Sequence, residues 1–146
     1  MERDELRKAL DRDELNYPRL AEEAGPDSIE DLEALVAEDE PRIAPKAAYL
    51  AALINAEGSE RVVGLASRSR HDVVRASAAA ALGSLTEARA TPIAERLLVD
   101  PDAGIRARTI KSVGTIGGEL QRSLQKVAEE DDDRGVRELA EEHGSD

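Results

Sequence analysis

The sequence predicts an all-α fold: a right-handed α-solenoid, or α-α superhelix, of about four stacked antiparallel helical hairpins. Three observations carry this. Four segments align without gaps at a period of 31 residues. Each unit holds two apolar stripes at helical spacing. Large apolar residues are too scarce for one thick core: Leu, Ile and Val number 16, 7 and 9 among 146 residues, and Tyr17 and Tyr49 are the only aromatics. Ala, at 24 residues, must then serve as a packing residue between closely spaced helices.

The aligned segments are DEPRIAPKAAYLAALINA from Asp39, SRHDVVRASAAAALGSL from Ser69, DPDAGIRARTIKSVGTIGG from Asp100 and DDDRGVRELAEEHG from Asp131. Ile43, Val74, Ile105 and Val136 share one register position and anchor a helix B. Four residues on come Ala47, Ala78, Thr109 and Ala140, and eight on come Ala51, Leu82, Val113 and Gly144. Ile54, Leu85 and Ile116 complete an inward stripe at the eleventh place. A helix A precedes each helix B, with Leu35, Ala66, Leu97 and Ala128 eight residues before the anchor. Val62, Ile93 and Leu124 lie twelve before it, with Asp31 as the one polar exception. Ser28, Ser59 and Thr91 read as N-caps of helix A, with Pro92 at the first helical position after Thr91. Acidic turns separate the two helices, and each offers an Asp to cap helix B. Gly83 and Gly114 mark helix ends or close backbone approach.

One hairpin cannot bury both of its faces, so stacking is required. Residues 1–26 read as an N-terminal helical cap: Leu6 and Leu10 mark one short helix, and Leu15 and Leu20 a second piece broken by Pro18. Residues 27–146 hold the repeats, at about 28–57, 58–89, 90–118 and 119–146, in a single domain with the cap. The last helix B reads as truncated and frayed by its acidic tail.

Composition excludes several functions. With no Cys there is no disulfide, zinc finger or thiol nucleophile. No apolar run is long enough to span a membrane, and the charged N-terminus is no secretory signal, so a cytoplasmic location is expected. Neither histidine, His71 or His143, has a converging second ligand, so no metal is expected. The acidic run at residues 129–133 lacks the ligand spacing of a calcium loop. No nucleophile elbow and no phosphate-binding glycine loop occurs. The reading is therefore non-enzymatic, with no cofactor.

The net charge of −12 is uneven. Residues 1–60 carry 7 basic and 17 acidic groups, residues 61–126 carry 11 and 6, and residues 127–146 carry 2 and 9. A basic middle lies between two acidic ends. The 16 Arg against 4 Lys on an acidic background suit a salt-rich cytoplasm, and a GC-rich genome gives part of the same bias.

The segment DPDAGIRARTIKSVGTIGG, Asp100 to Gly118, resembles HEAT repeats, in particular the short HEAT-like repeats of phycobiliprotein lyases. It joins an Asp-Pro-Asp turn to an aliphatic-Arg pair and a Gly-terminated apolar stretch. HDVVRASAAAALGSL resembles it nearly as well, and DDDRGVRELA over its first half. The segment at Ile43 departs most, because Ala44 replaces the Arg and Pro45 interrupts the start of helix B. The resemblance covers roughly residues 28–140 and implies an armadillo-like helical stack. It also implies that Arg75, Arg106 and Arg137 pair with turn aspartates of adjacent repeats. The candidates are Asp72, Asp102 and Asp133. Exposed pairs of this kind contribute about 0–1 kcal/mol and serve register.

Helix B lines the concave side in HEAT-like stacks. The outward positions here are Lys46, Tyr49 and Leu53, then Ser77, Ala80 and Ser84, then Arg108, Lys111 and Thr115. The resemblance thus implies a mildly basic groove carrying Lys46, Tyr49, Arg108 and Lys111. The expected function is a protein-interaction adaptor or scaffold taking an acidic or amphipathic segment of another protein. One alternative is a lyase- or chaperone-type accessory for a cofactor-bearing partner. Another is a nucleic-acid-binding module, as in HEAT-like DNA glycosylases. The acidic ends and the lack of Trp and Phe disfavour that one. HEAT-like deoxyhypusine hydroxylase binds iron through paired His-Glu motifs, which this sequence lacks. A homodimer is a third possibility, through apolar edges at Val127, Val136 and Leu139.

Overall fold

The computed structural model describes residues 1–113 and 118–144. Gly114, Thr115 and Ile116, each given a role above, lie outside the described residues. Among the described residues there are ten α-helices and no strand.

The first two helices, α1 (Arg3–Leu10) and α2 (Tyr17–Ala24), form the N-terminal hairpin. Asp4 and Glu5 open α1 and Arg7 and Lys8 close it, in accord with the helix dipole. Pro18 does not break the second piece. It sits in the first turn of α2, where its missing N–H needs no partner, and Asn16 caps that helix by accepting from Arg19 N at 3.1 Å.

Four A–B hairpins follow. They are α3 (Ile29–Ala37) with α4 (Ala44–Ile54), α5 (Ser59–Ala66) with α6 (Asp72–Ala81), α7 (Glu87–Leu97) with α8 (Ala103–Val113), and α9 (Glu119–Glu130) with α10 (Arg134–Gly144). The A helices pack in the series α1, α3, α5, α7, α9, and the B helices in the series α2, α4, α6, α8, α10. The N-terminal hairpin therefore continues both layers. Pro45 falls in the first turn of α4 and leaves it intact, for the reason that spares α2. The last helix B is not truncated: α10 spans 11 residues, as α8 does.

The predicted seam is the core. Ile43, Val74, Ile105 and Val136 are buried, and so are Ala47, Ala78, Thr109 and Ala140. Ala51, Leu82 and Val113 are fully buried, with Leu35, Leu97, Val62 and Leu124 from the A helices. Ala44, Ala47, Ala48, Ala51 and Ala52 are fully buried on α4, which packs on α6 with its own buried Ala78, Ala79 and Ala81. A solenoid needs only this thin seam between neighbours, because each hairpin contacts only the next.

The helix A starts differ from expectation. Ser28 Oγ donates back to Ala24 O at 2.7 Å, and Ser59 Oγ accepts from Ala56 N at 3.0 Å. Neither closes a helix start. Thr91 and Pro92 lie inside α7, which begins at Glu87, so the third repeat opens earlier than residue 90. Thr91 Oγ1 donates to Glu87 O at 2.8 Å, and Pro92 leaves Ala88 O without its i+4 donor.

The caps of helix B match expectation in the two C-terminal repeats. Asp102 accepts from Ile105 N at 3.0 Å, and Asp133 accepts from Val136 N at 2.9 Å. Each is followed two residues later by a glycine. A Cβ on Gly104 would lie 3.0 Å from the Asp102 carboxylate, and one on Gly135 would lie 3.2 Å from that of Asp133. The Asp-x-Gly spacing is thus a sequence signal for the capped turn. Loops also tie across the repeat: Asn55, with φ of 49°, accepts from Thr86 N at 3.2 Å and holds Arg89 through its carbonyl.

Candidate interaction surfaces

Two of the repeat arginines, Arg75 and Arg106, bridge two turns. Arg75 Nη1 donates to Ser69 O of its own turn at 3.0 Å, and its Nε reaches Asp100 of the next at 2.9 Å. Arg106 repeats the arrangement with Asp100 O and with both oxygens of Asp131, and adds Asp132. Arg137 donates to Asp131 O at 2.7 Å and makes no ion pair among the described residues.

The arginines do pair across repeats, but the carboxylates are Asp100 and Asp131, the first residues of their turns. Asp102 and Asp133 are occupied as caps, and Asp72 is exposed without a cap bond. These pairs are also not exposed: the Arg106 side chain is 9% accessible and that of Asp131 6%. Burial by itself would raise the Asp131 carboxyl, but hydrogen bonds from Arg106 and the turn backbone hold it below the usual carboxylate range. Asp131 bonding holds the Arg106 guanidinium above its ordinary value despite burial.

The first junction lacks this rung. Ala44 and Ser69 stand where Arg and Asp stand later. Ser69 Oγ instead donates to Asp39 at 2.6 Å, with Arg70 and His71 beside the same carboxylate. Exposed pairs supply register elsewhere. Arg7 forks onto Glu38, Arg42 meets Asp11, and Arg3 meets Asp31.

On the helix B layer, the predicted groove residues divide. Lys46 Nζ donates to Leu10 O at 2.9 Å and Arg12 O at 3.0 Å, closing the C-terminal end of α1. Tyr49 meets Tyr17 edge to face, with ring centroids 4.8 Å apart. Ser77, at the repeat position of Lys46, donates to Pro45 O at 2.6 Å. Lys46 and Ser77 therefore point back along the stack rather than out of it. Lys46 and Tyr49 thus tie α1 and α2 to α4. Lys46→Ala is expected to loosen that hairpin by about 1 kcal/mol. Faster amide exchange confined to residues 1–24 would check it.

Arg108 and Lys111 are exposed and make no ion pair among the described residues. Half-buried Ala80 lies on the neighbouring α6, and exposed Gly83 and half-buried Ser84 lie in the 3-10 turn Leu82–Ser84 that follows it. Arg108 and Lys111 are thus exposed without an ion pair, whereas Lys46 and Tyr49 are engaged by the N-terminal helices.

The C-terminal edge also differs from expectation. Val127 and Val136 are buried, at 7% and 2% exposure, and Leu139 packs partly against the core. Both α9 and α10 turn charged residues outward, so no bare apolar edge remains there among the described residues. No group of acidic or histidine side chains suited to a metal occurs among the described residues, and none of their helices is long and apolar enough to cross a membrane.

Stacked two-helix units with a recurrent turn arginine define an α-solenoid of the kind that commonly serves as a protein-interaction scaffold. A family model of HEAT repeats matches residues 59–143. The chain belongs to the HEAT-repeat family, which is generally non-catalytic. No curated protein matches it.

Proposed function

We propose that the protein is a non-enzymatic adaptor whose helix B layer binds an acidic segment of a cytoplasmic partner protein. One observation carries the reading. Arg108 and Lys111 stand exposed and without an ion pair on α8, which packs against α6 and the small-residue turn after it. Most other arginines in this chain are already engaged by carboxylates or carbonyls. Two cations left in water on a chain of net charge −12 form a local site of opposite sign. Small neighbours let another backbone come close.

The test is a quantitative affinity purification comparing wild type with R108E/K111E. Both side chains are solvated, so the variant is expected to fold with an unchanged thermal midpoint. A protein retained by wild type and lost from the variant supports the reading. Identical retained proteins would remove it.

A further inference from the structure

The outer, helix A layer carries a second feature. A cleft of about 640 Å³ lies between α5 and α7. Its lining includes Gly64, Leu65, Pro92 and Ile93, with Arg68 and Arg96 beside them.

Two of these residues are poor choices for the helices that hold them. Gly64 lies inside α5 and Pro92 inside α7, where each disfavours helix. The fold does not need the glycine: a Cβ there would meet nothing closer than Ile93 Cγ1, at 3.9 Å. What its absence does is leave the cleft open. Pro92 strips a donor from the carbonyl of Ala88, which also lines the cleft. Local rules of helix formation are set aside twice at one place, and such sites are commonly functional.

Polarity points the same way. Leu65 is 37% exposed, one of the few large apolar side chains left in water. The other cations in the cleft are answered: Arg61 faces Glu33 at 3.8 Å, and Arg89 faces Glu60 at 3.3 Å. Arg68 and Arg96 are exposed and have no ion-pair partner among the described residues. The N-terminal cleft between α1 and α2 is of similar size, about 610 Å³. Its lining balances Glu5, Glu14 and Glu23 against Lys8, Arg12 and Arg19, so it favours neither sign.

We infer that the α5–α7 cleft is a second docking surface, built for an acidic amphipathic helix of a partner protein. Aliphatic side chains of that helix enter beside Leu65, Pro92 and Ile93, over the hollow at Gly64. Its carboxylates meet Arg68 and Arg96. The apolar floor selects a peptide over a nucleic acid, which would also meet repulsion from both acidic ends. This surface is on the layer opposite Arg108 and Lys111, and it stands whether or not those two residues bind anything.

The test uses a fluorescein-labelled synthetic 16-residue peptide with Leu at i, i+3, i+4 and i+7 spacing and Glu elsewhere. Anisotropy is read against the full chain at 50 mM salt. Saturable binding is expected, weakened at least tenfold by R68E/R96E and also by Gly64→Met, which fills the hollow without touching charge. R108E/K111E should leave it unchanged. A peptide of the same composition with Leu spacing scrambled should bind at least fivefold more weakly. Absence of saturable binding overturns the inference, as do equal affinity for R68E/R96E and wild type or tighter binding of a labelled single-stranded oligonucleotide. Circular dichroism of each variant separates lost binding from lost fold.

Discussion

Arg106→Ala is expected to lower the unfolding free energy by about 3 kcal/mol, the low end of the range for breaking a buried ion pair. The guanidinium supplies bonds to Asp131, Asp132 and the carbonyls of Asp100 and Pro101. Its removal leaves the buried Asp131 charge with only the turn backbone for company. The loss should be local, because each hairpin of a solenoid depends on its neighbour. Amide exchange is expected to accelerate in α9 and α10 while α4 and α6 keep their protection. Uniform acceleration would show that the rung serves the whole stack. Arg75→Ala should cost less, because Arg75 is 17% accessible and bonds one carboxylate oxygen instead of three.

The same pair fixes a pH dependence. In wild type the Asp131 carboxyl is held low, so its contribution to stability is present above the ordinary carboxylate value of about 4. It is lost as pH falls through the lower folded value. In Arg106→Ala, burial remains and the main opposing bonds are gone, so the folded value rises. Protonation then relieves the variant before it harms wild type. The stability gap between the two should narrow as pH drops from 7 to 4, read by urea denaturation at each pH. A constant gap would mean that the arginine acts by packing alone.

Periodicity made most of the fold legible in the sequence. Ile43, Val74, Ile105 and Val136 recur at one position because each fills the same seam, and all four are buried. Side-chain direction at the layer surfaces was less legible. A helical wheel places Lys46 and Ser77 outward, but an outward position within a stack also borders the preceding repeat. Lys46 and Ser77 find carbonyls there, and Arg108 does not. The start of α7 departs from expectation for a related reason. Thr91-Pro92 has the composition of a helix start, but Ile93, Ala94 and Leu97 continue a stripe already opened at Ala90, and burial of that face overrides a proline in the second turn. The α5–α7 cleft was not visible at all. Arg68 and Arg96 do not share a repeat position, so alignment of repeats separates what packing brings together.

Ala78→Leu is expected to destabilise by about 3 kcal/mol, the upper part of the usual range for overpacking. Ala78 is fully buried on α6, whose neighbours include α4 with its own buried alanines. Close helix approach is what lets a chain with few large aliphatics exclude water along the seam. A leucine at that position has no void to enter and must push α4 and α6 apart. Separation would open gaps along the alanines of α4, so the damage spreads beyond one contact. Ala80→Leu, two residues away and outside the packed core, should change stability by less than about 0.5 kcal/mol. Leucine and alanine have similar helix propensity, so any difference between the two variants reports packing. Thermal and chemical denaturation of both, read by circular dichroism, tests this. Equal effects would mean that the seam tolerates wider helix spacing, and that alanine is present here for reasons of composition rather than packing.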